Sequence, residues 1–183
     1  EVYNCKDNEI FKLGKISIQA MHTPGHTLES TCYLLRDEND KPHAIFTGDT
    51  LFVGDVGRPD LSSGNMSSAE LAGIMYDTIQ NKILPLADDV LVYPAHGAGS
   101  SCGNNMGPET FSTIGEQKKT NYALQPQSKE EFVAAVTEGL GVAPQYFAIN
   151  AKINMQGYES LDKKKKKGLT ALSITEFKDL QAD

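Results

Sequence analysis

Three short apolar runs, each ending in a turn that carries one histidine or aspartate, constrain this chain more than any other feature. Ile16-Ser17-Ile18-Gln19-Ala20-Met21 leads to Thr23-Pro24-Gly25-His26-Thr27. Ala44-Ile45-Phe46 leads to Thr47-Gly48-Asp49-Thr50, and Val90-Leu91-Val92-Tyr93 leads to Pro94-Ala95-His96-Gly97. Short runs rich in β-branched and aromatic residues, closed by Gly or Pro, read as strands. Strand ends are rigid enough to hold ligands to fractions of an ångström, so the pattern predicts a metal site on a sheet edge. A single His or Asp after a strand is more often a turn residue or a satisfied surface group. The same context three times over tips the balance towards His26, Asp49 and His96 as metal ligands. Imidazole and carboxylate suit zinc and non-haem iron. Two histidines and a carboxylate match the count of an iron facial triad, and also part of a two-metal hydrolase site.

A chain of 183 residues is one domain's worth. Folded alone it buries roughly 70% of its unfolded surface. No apolar run approaches the roughly 18 residues of a membrane span. The formal charge of −7 argues against nucleic-acid binding, which needs a basic face. Cys5, Cys32 and Cys102 are odd in number and share no CxxC spacing, so a reducing, cytoplasmic setting is expected. The opening Glu1-Val2-Tyr3-Asn4 has neither a start Met nor an apolar leader, which reads as a fragment without a signal peptide.

Along the chain, Ile10 to His22 reads as a hairpin turning at Gly14-Lys15, and Ser30 to Leu35 as a further strand with Cys32 as a small core residue. His22 lies four residues before His26, a chelating interval on a helix, but Pro24 and Gly25 break any helix there. His43 follows a polar turn and is expected at the surface. Residues 51–66 form an irregular loop beside Asp49, where substrate contacts are expected. Arg58 in that loop suits a bidentate grip on a carboxylate, either a substrate's or that of Asp55 or Asp60. Ser67 with Glu70, and Ser128 with Glu131, are capping boxes that open helices. The first has Leu71, Ile74, Met75 and Ile79 inward and ends near Lys82–Pro85. The small-residue run 97–103 brings backbone close to a ligand, and Cys102 within it is either a substrate-handling thiol or a small residue. A single helix is predicted over 110–124, with Lys118, Lys119, Asn121 and Tyr122 reaching towards the site. Pro144 is predicted to start another helix, and Ser173 or Thr175 to cap a last one. Lys163 to Lys167 reads as a solvated run.

At these residues the sequence resembles a known family. Thr-Pro-Gly-His-Thr at 23–27, Phe-Thr-Gly-Asp-Thr-Leu-Phe at 46–52 and Pro-Ala-His-Gly at 94–97 resemble the later metal motifs of the metallo-β-lactamase superfamily. Gly-Asp-Val-Gly-Arg-Pro-Asp-Leu at 54–61, Ala-Gly-Ser-Ser-Cys-Gly at 98–103 and Ser-Thr-Ile-Gly-Glu-Gln at 112–117 are similar to its persulfide dioxygenases, especially the branch fused to a rhodanese domain. The resemblance covers roughly residues 8 to 160. It implies an α/β fold, the αββα sandwich, with this chain as the C-terminal half of that domain plus a helical tail. Residues 1–160 are then the second half of the metallo-β-lactamase-like domain. Residues 161–183 are a lysine-rich linker and the start of a rhodanese-like domain.

The resemblance also implies Fe(II), with zinc as the alternative, held by two histidines and an aspartate. His26 and Asp49 match two of these ligands. The third belongs to a His-x-His-x-Asp-His motif that His22, His26, His43 and His96 do not form. His96 matches the second-zinc position of hydrolase relatives. The implied reaction of the intact protein oxidises a low-molecular-weight persulfide to sulfite with O2, with Arg58 and Cys102 as catalytic candidates. The expected partners are a small thiol or persulfide and either a second copy of the chain or the absent half, with no nucleic acid and no membrane. Two other readings stand beside it: a glyoxalase-II-like hydroxyacylglutathione hydrolase with two zincs, and a non-catalytic half-domain. By itself the chain is expected to hold no metal tightly and to turn nothing over.

Overall fold

The computed structural model describes residues 3–60, 66–100, 102–103, 106–140, 146–169, 171–174 and 177–178. The chain divides into two compact units, Glu1–Pro144 and Gln145–Asp183. The first unit is a six-stranded sheet with helices on one face. Its strands are β1 (Ile10–Leu13), β2 (Ile16–His22), β3 (Thr31–Arg36), β4 (Pro42–Gly48), β5 (Leu91–Pro94) and β6 (Ser112–Thr113), and they lie in that order across the sheet. β1 to β4 form an antiparallel meander, β5 is parallel to β4, and β6 closes antiparallel on β5. The parallel step needs a crossover, and α1 (Ser68–Thr78) supplies it.

The period-two pattern of the strands sorts their side chains onto two faces. Met21, Cys32, Leu34, Ile45 and Val92 meet Ala72, Met75 and Ile79, Ile114 of α2 (Ile114–Thr120), and Phe132 and Val136 of α3 (Lys129–Thr137) in one core cluster. Both expected capping boxes form: Ser67 accepts from the Glu70 amide, Ser128 from the Glu131 amide, and each glutamate returns to its cap. α1 runs on into a π-helical turn over Ile79–Ile83, and both of those isoleucines are fully buried.

The single helix expected over 110–124 is three pieces instead. Ser112 and Thr113 pair with Val92 and Leu91 as β6. α2 starts only after Thr113, whose side chain accepts from the Glu116 amide. Asn121 is extended and its side chain accepts from the Ala123 amide, which stops α2 and starts a 3-10 turn over Tyr122–Leu124. Sheet pairing and two side-chain caps thus override a helical periodicity.

The second unit holds α4 (Tyr146–Gln156) and α5 (Leu161–Leu169). The lysine run lies on α5; Lys163 and Lys164 both approach Glu159, at 3.0 and 3.2 Å. Pro144, Thr175 and Leu61 lie outside the described residues. No helix among the described residues is long and apolar enough to cross a membrane.

Candidate functional site

Topology gathers the three ligand-bearing turns. β2 and β4 both run antiparallel to β3 and so point the same way, and β5 runs parallel to β4. The C-terminal ends of β2, β4 and β5 therefore share one sheet edge, where His26, Asp49 and His96 follow. His26 Nε2 lies 3.3 Å from Asp49 Oδ2, and His96 Nε2 lies 3.2 Å from Asp49 Oδ1. The carboxylate stands between two imidazoles, with one oxygen towards each.

Each turn is pinned. In the His26 turn, the Thr78 hydroxyl at the end of α1 donates to Pro24 O at 2.7 Å. Gly25 adopts a φ of 148° there, and a Cβ on it would fall 2.5 Å from Met75 Cβ. Thr23 bonds Thr50, the neighbour of Asp49, at 3.1 Å, and donates to the Cys32 thiol at 3.3 Å. Burial pushes the Cys32 thiol up, so Cys32 is a core residue as expected. The His96 turn is tied to the end of β4 by Ala95 N donating to Gly48 O at 3.1 Å.

His26 is the more deeply set ligand: its side chain is 13% exposed, against 42% for His96. Its Nδ1 meets Arg58 O at 2.7 Å, which orients the ring and turns Nε2 towards Asp49. The hydrogen bond with His26, helped by the charge of both imidazoles, holds the Asp49 carboxyl below the usual carboxylate range although burial pulls the other way. Ordinary charge-assisted hydrogen bonds are shorter than these contacts, about 2.7–2.9 Å. Two donors on one tetrahedral ion, each about 2.0–2.1 Å from it, stand about 3.3 Å apart. The spacing of both histidines from Asp49 therefore fits edges of a metal coordination sphere, and the donor set fits zinc or iron.

A second group of residues supports the site from behind, and sequence reading found it only in part. Gly57 passes so close that a Cβ would lie 1.9 Å from Asp49 O and 3.0 Å from His26 Nδ1. The loop before it is braced by a buried polar network. Asp55, 2% exposed, accepts from the Tyr122 hydroxyl at 3.0 Å. Asn121 donates to Phe52 O, Asp55 O and Gln117 Oε1. Gln117 also accepts from Gly54 N at 2.8 Å. The expectation that Asn121 and Tyr122 reach towards the site holds in this indirect form. Lys118 instead turns to Leu86 O and Asp88. The signal available for Asp55 and Gly57 was their Gly-Asp-Val-Gly setting, which marks a tight loop but not its bracing.

Arg58 forks onto Asp60, at 3.0 and 2.7 Å, so its guanidinium engages the protein's own carboxylate, one of the partners the sequence allowed. Cys102 comes close to Asp49 and His96: one donor atom from each lies within 4.8 Å of the others. The Cys102 carbonyl accepts from Arg58 N at 3.1 Å. His22 bonds Leu28 O at 2.7 Å, away from the cluster, and His43 is exposed.

A mixed α/β sheet with His, Asp, His and Cys gathered at one strand edge defines the class: a domain with a metal-type donor set built on turns. No protein-family model matches the chain. A metallo-β-lactamase from Staphylococcus aureus is 37% identical, with a TM-score of 0.76 over 86% of this chain and 45% of that one. ETHE1 from Myxococcus xanthus is 30% identical with a TM-score of 0.63, over 82% of this chain and 58% of that one. A probable hydroxyacylglutathione hydrolase of Schizosaccharomyces pombe is 32% identical over 139 residues, 65% of this chain and 50% of the relative. The chain belongs to the metallo-β-lactamase superfamily, whose members bind metal ions, commonly zinc. It spans about half the length of the curated relatives it matches.

Proposed function

We propose that this chain is the C-terminal part of a persulfide dioxygenase, in which His26 and Asp49 supply two ligands of an iron facial triad. The observation that carries the reading is the His26–Asp49 pair. It is half-buried, spaced as neighbouring ligands, and fixed from behind by the Arg58 carbonyl. The likeness to ETHE1 supports the choice of reaction, and so do the motifs around Arg58 and Cys102. The third ligand comes from a His-x-His-x-Asp-His segment outside this chain, and a rhodanese-like domain follows residue 183.

Bound iron supplies open coordination positions for sulfur and O2. The chain's own residues do the rest. His26, locked through Nδ1, and Asp49, held ionised, present fixed donors at pH 7. The loop over residues 51–58 walls one side of the cleft. Arg58, paired with Asp60, shapes that wall, and Cys102 lies beside it, its carbonyl accepting from Arg58 N. The net reaction takes persulfide, O2 and water to thiol and sulfite; the outer sulfur gives up four electrons to O2.

A second reading, a two-zinc hydroxyacylglutathione hydrolase, draws on one observation. Asp49 faces a histidine with each oxygen, as a carboxylate shared by two metals would. Metal analysis and oxygen uptake on the longer protein separate the two. One iron per site, with oxygen consumed and sulfite formed from glutathione persulfide, supports the dioxygenase. Two zincs, thioester hydrolysis and no oxygen uptake overturn it.

A further inference from the structure

The turn that delivers His26 is held by side chains from one stretch of helix. Thr78 closes α1, and its hydroxyl donates to Pro24 O at 2.7 Å. Lys82 stands four residues on, in the π-helical turn Ile79–Ile83, and its ammonium donates to His22 O at 2.6 Å. Side chains four residues apart on a helix lie on one side of it. Here that side meets two carbonyls, one at the end of β2 and one inside the turn, and His26 follows two residues after the second.

Lys82 is itself fixed. Leu84 N donates to Ile79 O at 2.9 Å, a π-type bond spanning five residues. Ile79 and Ile83, both fully buried, root that turn in the core. The ammonium also pairs with Asp7 Oδ2 at 2.8 Å, while Asp7 Oδ1 accepts from His22 N at 2.7 Å. Burial pushes the Asp7 carboxyl up, and the bonds from Lys82 and the His22 amide more than reverse it, so the pair stays ionised. Lys82 and Asp7 between them take up both backbone groups of His22, the last residue of β2.

We propose that Lys82 is a positioning residue for the metal centre: with Thr78 it sets the direction in which the His26 turn leaves the sheet. A segment held at one point can pivot, and one held at two keeps its direction. Without Lys82 the turn keeps the Thr78 bond and swings about it, and His26 Nε2 loses its fixed place 3.3 Å from Asp49. The proposal rests on the reading of His26 and Asp49 as metal ligands. It goes beyond that reading by assigning a role to a lysine whose bonds go to Asp7 and His22 O and to neither ligand. It holds whether the ion is iron or zinc.

Amide hydrogen exchange of the 183-residue chain tests this with no metal present. Lys82→Met keeps the aliphatic stem and removes the ammonium. The Thr23 and Gly25 amides, which donate to Ser30 O and Thr27 O, should then exchange faster. The expected increase is at least about tenfold beyond any change at Ile45 and Val92 in the sheet core, as loss of a bond from a charged donor allows. Lys82→Arg should restore the parent rates. Zinc affinity, read by calorimetry on the same chains, should fall about tenfold in Lys82→Met and recover in Lys82→Arg, as for other outer-shell partners of a metal site. Turn amides that speed up no more than those of the core overturn the proposal, and so does a loosened turn with undiminished zinc affinity. Should Lys82→Met fail to fold, Lys82→Gln, too short to span both acceptors, is read in the same way. A parent chain that takes up no zinc sinks the metal-centre reading, and exchange alone then decides whether Lys82 holds the turn.

Discussion

The two faces of the sheet are built from the same strands and differ in what covers them. On one face Cys32, Leu34, Ile45 and Val92 lie under the helices at 0–2% exposure. On the other, Tyr33, Phe46 and Tyr93 are exposed at 43%, 44% and 36%. These three stand in one row across neighbouring strands, since Tyr33 pairs with Phe46 and Phe46 with Tyr93. Phe46 stacks on Tyr93 and Tyr93 on Phe111, with ring centroids 5.6 and 5.9 Å apart. Continuous exposed apolar faces of this kind are a common feature of interaction surfaces. The helix-covered face buries the large apolar side chains of this unit, while the open face leaves its aromatic row at solvent.

That contrast gives a ranked set of expectations. The largest effect belongs to the covered face. Ile45→Ala should cost about 2–5 kcal/mol in urea unfolding, by lost transfer energy plus the cavity left behind. Next comes the brace behind the site. Tyr122→Phe leaves buried Asp55 without its hydroxyl donor and should cost about 1–3 kcal/mol at neutral pH. Burial, with Asp55 adding to it, pushes the Tyr122 phenol well above its ordinary value. The folded chain therefore keeps this proton while the unfolded chain loses it from about pH 10. Stability should be level below that pH and fall above it, and the fall should be shallower in Tyr122→Phe when unfolding is followed from pH 8 to 11.

A smaller effect is expected at a helix end, where Ser128→Ala removes the cap of α3 and should cost about 1 kcal/mol, read as a lower urea midpoint with an unchanged slope. The smallest belongs to the open face. Phe46→Ala should cost under about 1.5 kcal/mol, because it forfeits chiefly one ring stack. The same position should dominate association. Phe46→Lys is expected to shift concentration-dependent self-association towards monomer in sedimentation velocity, whereas a covered-face variant that still folds should not. Equal unfolding penalties at Ile45 and Phe46 would erase the distinction between the faces.

Much of this architecture was legible in the sequence because local rules and tertiary structure agree. The strands before His26, Asp49 and His96 are short apolar runs closed by Gly or Pro, and the capping boxes at Ser67 and Ser128 use side chains within three residues. The convergence of the three turns was inferred from repeated context, and strand directions supply its cause. What escaped was set by distant partners. Thr113 looked helical until β5 paired with it, and Asn121 stops its helix while bonding Phe52 O some 69 residues away. Gly57 was readable as a loop glycine, but not as the residue on whose bare Cα the approach of Asp49 and His26 depends. Arg58 could be read two ways, and only coordinates put Asp60 in its fork.

The proposed metal centre depends on Asp49, whose two oxygens each face one of the two imidazoles. Calorimetric zinc titration of the chain beside its Asp49→Asn variant probes that dependence directly. The amide keeps the shape and removes the charge, so the variant should bind zinc at least about tenfold more weakly while unfolding like the parent. Equal zinc affinity in the two chains would contradict a metal centre built on Asp49.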